Sequence, residues 1–289
     1  MKKFIAITAC SNILFGLIPV YWKFLGDVDT LYILGQRILW SVPFTLIIVL
    51  LSRKWDELKA ALRSRRVMLL TAAAGVIITA NWYLYIWAVN ASMVLETSLA
   101  YYMAPLIAFV LGVFAFREKT SPVDVASIII AAVGILISTL ALGVFPWVSV
   151  LLALTFSVYG ALKKAAGLTP AVSLTLEMLV VLPFALIFLA FTSFGPQGAL
   201  TGISPVTMLL LVGTGFISSF PLWLYSYGVK ELPFSLVAFL QFIWPTTSML
   251  LSVFAFHETL TRAKLVCFLF IWAGVLLFTC NKVRQGRKA

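Results

Sequence analysis

The chain has 289 residues, 62% of them apolar and 11% charged, against roughly half apolar and a quarter charged in an ordinary soluble domain. That mixture excludes a soluble enzyme or binding module and leaves a membrane protein. The net charge of +11 would suit nucleic acid only if the cations formed one patch among exposed aromatics, whereas they flank the apolar runs as topology determinants do, so no nucleic-acid partner is expected.

A hydrocarbon core of ~30 Å takes about 20 helical residues to cross. The first predicted span covers 4–24; its Met1-Lys2-Lys3 start imitates a secretory leader, but the apolar run continues past Cys10 to Trp22 without a cleavage site, so the segment is expected to be retained. Further spans are predicted over 30–51, 67–90, 93–116 and 121–142, then over 145–165, 170–192, 205–228, 233–256 and 261–281. The runs are continuously apolar rather than alternating, which excludes a β-barrel. With the N-terminus in the cytoplasm, the cations at Lys2-Lys3, Arg53 to Arg66, Arg117 and Lys119, Lys163-Lys164, Lys230 and Lys282 to Lys288 all fall inside. Only Lys23, Arg262 and Lys264 fall outside. The expected fold is therefore an all-α polytopic membrane protein of ten transmembrane helices with both termini cytoplasmic.

The chain repeats itself. An offset of 140 positions, the distance from Phe114 to Phe254, superimposes Val113-Phe114-Ala115-Phe116 on Val253-Phe254-Ala255-Phe256 and Glu118 on Glu258. It also superimposes Tyr85 on Tyr225, Pro105 on Pro245, Gly134 on Gly274 and Lys23 on Lys163. Two five-span halves follow, 1–142 and 143–289, the second ending in a short basic cytoplasmic tail. An odd number of spans per half makes the copies enter the bilayer from opposite sides, the inverted repeat of secondary transporters.

Several stretches then resemble a known family: GLIPVYWK at 16–23, RILWS at 37–41, NWYLYIWAVN at 81–90, VLETSLAYYMAPL at 94–106, LTLEMLVVLP at 174–183 and FLQFIWPTTSMLLSVFAFHE at 239–258. They are similar to the RarD subfamily of EamA-type permeases, in the drug/metabolite transporter superfamily, over essentially the full chain. The resemblance implies a bacterial inner-membrane protein that exports or exchanges a small molecule. Gln36 stands where the pattern has histidine and Ala100 where it has glycine.

Charges at membrane depth cost several kcal/mol unless paired or wetted, so they mark candidate sites. Arg37 in the second span has Glu96 as its expected partner, both approaching from the outer side. Glu177, which the offset places on Arg37, approaches from the cytoplasmic side, within reach of Lys163 or Lys164. It is either a proton carrier or a static tie between spans, and the tie is the simpler reading. The two charges are expected in opposite halves of the membrane.

Helical spacing puts Asn12 with Pro19, Arg37 with Ser41, Asn81 with Tyr85, Tyr101 with Pro105, Pro221 with Tyr225, and Gln241 with Pro245 on shared faces expected to line a central cavity. Trp22, Trp40, Tyr102, Trp223 and Trp244 could stack a flat substrate or anchor at the interface. Pro105 and Pro245 form the sharpest hinge pair. Cys10, Cys267 and Cys280 lack metal spacing, and His257 has no second ligand in view, so no metal or cofactor is expected.

The leading expectation is a secondary-active transporter of a small metabolite or amphipathic drug working by alternating access, with proton coupling open. The alternatives are a membrane-embedded enzyme, whose acid or base would be Glu96 or Glu177, and a passive channel. No Walker loop or nucleophile elbow is present. The partners expected are the substrate and the lipid bilayer; monomer and homodimer stay open.

Overall fold

The computed structural model describes residues 1–26, 28–91, 93–140, 145–193, 203–255 and 262–286. All regular secondary structure among them is helical: α1 (Lys2–Lys23), α2 (Thr30–Leu51), α3 (Trp55–Arg63), α4 (Arg65–Asn90), α5 (Val94–Phe114), α6 (Pro122–Leu140), α7 (Trp147–Ala166), α8 (Pro170–Ser193), α9 (Pro205–Glu231), α10 (Phe234–Gln241), α11 (Ile243–Phe254) and α12 (Arg262–Gly286). Seven helical stretches are long and apolar enough to cross a membrane, namely α1, α2, α4, α7, α8, α9 and α10 taken with α11. Shorter apolar stretches lie in α5, α6 and α12. An all-α polytopic membrane protein, as the composition predicts, is what these helices form.

Local chemistry sets the helix ends. Asp29 accepts from the Tyr32 amide at 2.9 Å and so starts α2, and Ser204 with Pro205 starts α9. Gly167, at φ 66°, stops α7 in the left-handed region that only glycine occupies freely. Arg117 also has positive φ, 51°, a costly turn for a residue that carries a Cβ, and it redirects the chain just before Glu118.

Two elements differ from the sequence expectation. The polar connection after the second span contains an additional helix, α3, whose Leu58 and Ala61 are buried against Val49, Ala171, Val172 and Leu176 while its charged face is exposed. An amphipathic helix this short carries no run of apolar residues, so a span-finding reading passes over it. The predicted span 233–256 is two helices, broken at Phe242. Pro245 has no amide to donate to the Gln241 carbonyl, and its ring crowds that carbonyl, which opens the helix one turn earlier. Pro105, by contrast, sits within an uninterrupted α5.

Packing turns the usual soluble pattern outward. Phe184, Phe191, Leu209 and Phe254 are exposed, as lipid-facing residues are, while Thr8, Ser11, Thr175, Ser149 and Thr214 are buried between helices, where small side chains allow close approach. The principal contacts join early helices to late ones: α6 with α12, α5 with α7, α2 with α8 and α9, α4 with α7, and α1 with α9. Exchanging each helix for its counterpart at the 140-residue offset turns α4 against α7 into α9 against α1, and leaves α2 against α8 and α6 against α12 unchanged. Gly215 of α9 lies against the Trp40 backbone and Gly213 against the Tyr21 hydroxyl, so these glycines serve packing inside the chain.

Candidate functional site

The buried charges and the large rings meet where α1, α2, α4, α5, α7, α8, α9 and α11 converge. On α7, Tyr159 and Lys163 are one turn apart and share a face; on α8, Ser173 and Glu177 do the same. The two faces meet. Lys163 Nζ donates to Glu177 Oε1 at 2.5 Å and to Ser173 Oγ at 3.1 Å, Ser173 Oγ donates to Oε1 at 2.6 Å, and the Tyr159 hydroxyl donates to Oε2 at 2.9 Å. Glu177 is fully buried. Three donors, one of them the neutralising ammonium, satisfy the carboxylate, which is what a buried charge requires. Of the two lysines expected within reach, Lys163 is the partner. Lys164 points elsewhere, donating to the Leu232 carbonyl at 2.7 Å and lying 3.7 Å from Glu118.

Arg37 is solvated differently. Its guanidinium lies 3.7 Å above the Trp82 ring, and its charge acts on the side chains of Tyr101 and Tyr159. Its Nε is buried without a hydrogen-bond partner among the described residues. A desolvated cation–π contact contributes about 2 kcal/mol, less than the roughly 2.5 to 3.5 kcal/mol an arginine costs at mid-membrane even on the mildest scale. The side chain of Glu96, the partner expected from sequence, lies outside the described residues. Tyr159 holds the Glu177 carboxylate by its hydroxyl, while Arg37 packs on Trp82.

Rings fill the space beside Arg37. Trp244, at the start of α11, stacks on Phe15 of α1 (centroids 4.9 Å apart), lies 4.4 Å from Tyr101 of α5 and meets Phe156 of α7 edge-on at 5.7 Å. Phe156 continues the cluster to Tyr225 of α9 at 5.7 Å. Tyr101 lies beside Tyr85, their rings 6.1 Å apart, and Gln241 Nε2 donates to the Tyr225 hydroxyl at 2.9 Å. The offset of 140 maps Tyr85 on Tyr225 and Tyr101 on Gln241, so corresponding pairs are in contact in both halves. Gln241 Oε1 is buried and unpartnered among the described residues.

The structure thus brings together Arg37, Tyr85, Tyr101, Glu177, Tyr225, Gln241 and Trp244 of the residues picked from sequence. Others lie apart. Asn81 ties α4 to α7 through the Leu152 carbonyl at 2.8 Å and Thr155 Oγ1 at 2.7 Å, and Asn12 donates to the Thr8 carbonyl at 2.7 Å. Trp40 donates to Gln36, which itself donates to the Tyr32 hydroxyl; this occupies the position where the family pattern differs. Trp22 packs near Leu25 and Tyr32, Tyr102 meets Phe268 edge-on, and Trp223 contacts Phe220 and Tyr227. His257 and Glu258 lie outside the described residues.

Sequence reasoning missed Tyr159, Ser173, Phe15, Phe156 and Trp82. The first two carry a readable signal, since each stands one helical turn before a titratable residue on the same face. It also missed the role of Glu118, whose two oxygens accept from the Phe234 amide at 2.5 Å and the Ser235 amide at 2.8 Å, capping α10 from a distant segment.

A helical membrane protein with a charge-paired, ring-lined centre defines a class, and comparison with known proteins gives the family. The EamA-like transporter family matches this chain twice, over residues 2–140 and 146–280. The chain is 39% identical to the uncharacterized transporter YojE of Bacillus subtilis, over 99% of this chain and 96% of that protein. It is 30% identical to Protein RarD of Streptomyces exfoliatus (96% and 88%) and 29% identical to Protein RarD of Escherichia coli (99% and 97%). A solved crystal structure at 17% identity superimposes with a TM-score of 0.74 over 99% of each chain, a likeness of fold. The chain belongs to the EamA-like transporter family, on its RarD branch, and is a multi-pass transporter of the bacterial inner membrane rather than an enzyme.

Proposed function

We propose that the chain is a secondary-active transporter, an exporter or exchanger, that carries a small metabolite or amphipathic drug by alternating access between two inverted five-helix halves, residues 1–142 and 143–289. The observation that carries this reading is the exchange symmetry of the packing, in which the Tyr85 and Tyr101 contact and the Tyr225 and Gln241 contact occupy corresponding places. A structure built from two copies of one motif has two equivalent ways to distort, each opening the shared centre to one side. The two family matches, one per half, support the same division. Ten spans with both termini in the cytoplasm follow from the positive-inside distribution of lysine and arginine.

Glu177 acts as a static tie in this scheme, because its oxygens are already taken by Lys163, Ser173 and Tyr159. The test is flux of amino acids, nucleobases and chloramphenicol-like drugs in proteoliposomes, with and without a pH gradient, for wild type and Glu177→Gln. Flux against a substrate gradient supports active transport. Flux that only equilibrates points to a facilitator, and proton-dependent accumulation abolished in the variant would make Glu177 a proton carrier.

A further inference from the structure

We infer that the central site takes an organic monoanion, a planar apolar body bearing one carboxylate, with Arg37 as the residue that sets the charge preference. The inference rests on the transporter reading above and names its substrate class.

The argument is a charge balance at the site. Glu177 and Lys163 neutralise one another at 2.5 Å, and the carboxylate is further held by Ser173 and Tyr159, so this pair offers nothing to a charged ligand. Among the described residues, Arg37 remains as the excess charge. No carboxylate among the described residues forms an ion pair with it, its Nε has no hydrogen-bond partner there, and a tryptophan face is a weak counterpart for a guanidinium inside a membrane. A planar fork of donors fits a carboxylate bidentately, an arrangement a lysine would not supply.

The surroundings fix the rest of the ligand. Tyr101 carries the chemistry from one part to the other: its side chain feels the Arg37 charge and its ring lies 4.4 Å from Trp244. A flat body inserted against Trp244 and Tyr101 therefore presents a substituent toward Arg37. Tyr101 and Trp244, tilted at 39° to one another, offer aromatic faces and edges that match a flat apolar body. The unpartnered Gln241 Oε1 provides one further acceptor for a donor on the ligand. A cationic ligand would meet Arg37 as a like charge.

The test uses three probes with one ring and different ends: phenylacetate, phenylacetamide and phenethylamine. Their binding to the full-length protein in nanodiscs is measured calorimetrically for wild type, Arg37→Lys and Arg37→Gln, and their counterflow is followed in proteoliposomes. The inference expects phenylacetate to bind at least about tenfold more tightly than phenylacetamide, with phenethylamine weakest. Arg37→Gln should erase the difference between acid and amide while keeping the amide's affinity, which shows that the variant is folded. Arg37→Lys should keep part of it. Equal affinities for acid and amide, tightest binding of the amine, a preference that survives Arg37→Gln, or no binding of the acid each overturns the inference. Counterflow of amide or amine without an acid preference would overturn it while leaving the transporter reading intact, whereas the absence of counterflow for any probe would count against that reading.

Discussion

Lys163 and Glu177 form an ion pair at 2.5 Å with side chains 2% and 0% exposed, sealed from lipid and water alike. Removing one partner leaves a buried charge uncompensated, at a cost of about 3–5 kcal/mol. Glu177→Gln and Lys163→Met are each expected to lower the thermal unfolding midpoint in detergent by that equivalent. The double variant Lys163→Met with Glu177→Leu should recover most of the loss, because no charge is then stranded. A Glu177→Gln protein as stable as wild type would show that the carboxylate is not a structural tie.

Gly75 brings α4 onto α8 at Glu177 itself. A Cβ added there would lie 2.7 Å from the Glu177 carbonyl oxygen and 3.2 Å from its Cα, and backbone does not yield as a flexible side chain does. Gly75→Ala is expected to destabilise by about 1–3 kcal/mol. Gly26→Ala, whose nearest neighbour would be 3.5 Å away, serves as the control and should stay within about 0.5 kcal/mol of wild type. Both are read from fluorescence-detected size-exclusion after graded heating.

Pro245 and Pro105 are sequence equivalents with unequal consequences, since only Pro245 accompanies a broken helix. Pro245→Ala restores the missing amide and should let α10 run into α11, slowing turnover in proteoliposomes several-fold with little loss of stability. Pro105→Ala should change turnover less. Equal effects of the two substitutions would argue that the break at Phe242 is not a working hinge.

Glu118 holds the start of α10 through two backbone amides. Its ion pair with Lys164 is long and partly exposed, so it adds little. Glu118→Ala should cost about 1–2 kcal/mol, the value of a lost cap with its dipole contribution. Hydrogen exchange at Phe234 and Ser235 should accelerate while that of α8 stays constant. Uniform acceleration through the bundle would mean a global defect instead.

What could be read in the sequence followed from periodicity and repetition. Long apolar runs gave the membrane helices from Thr30 to Leu51 and from Trp147 to Ala166 nearly to the residue, because hydrocarbon imposes continuous apolarity with no compensating exceptions. The offset of 140 paired Arg37 with Glu177 and Tyr85 with Tyr225, and helical spacing to Pro245 added Gln241; the structure places these residues in one cluster of side chains. Which aromatic faces which neighbour was not legible, since Trp22, Tyr102 and Trp244 have the same composition signal and only helix rotation separates them. Nor was the role of Glu118, whose partners Phe234 and Ser235 are brought to it by tertiary packing and by the turn at Arg117.

The pairing of early helices with late ones has a consequence for how the chain is made. As translation proceeds, the faces of α2, α4, α5 and α6 that end against α7, α8, α9 and α12 leave the translocon before their partners exist. Lipid must occupy those faces in the interim, including the surface that will close over Glu177. The first half is thus an unfinished protein until the last helix arrives, and a truncated product would expose to the bilayer the small polar residues that the full chain buries.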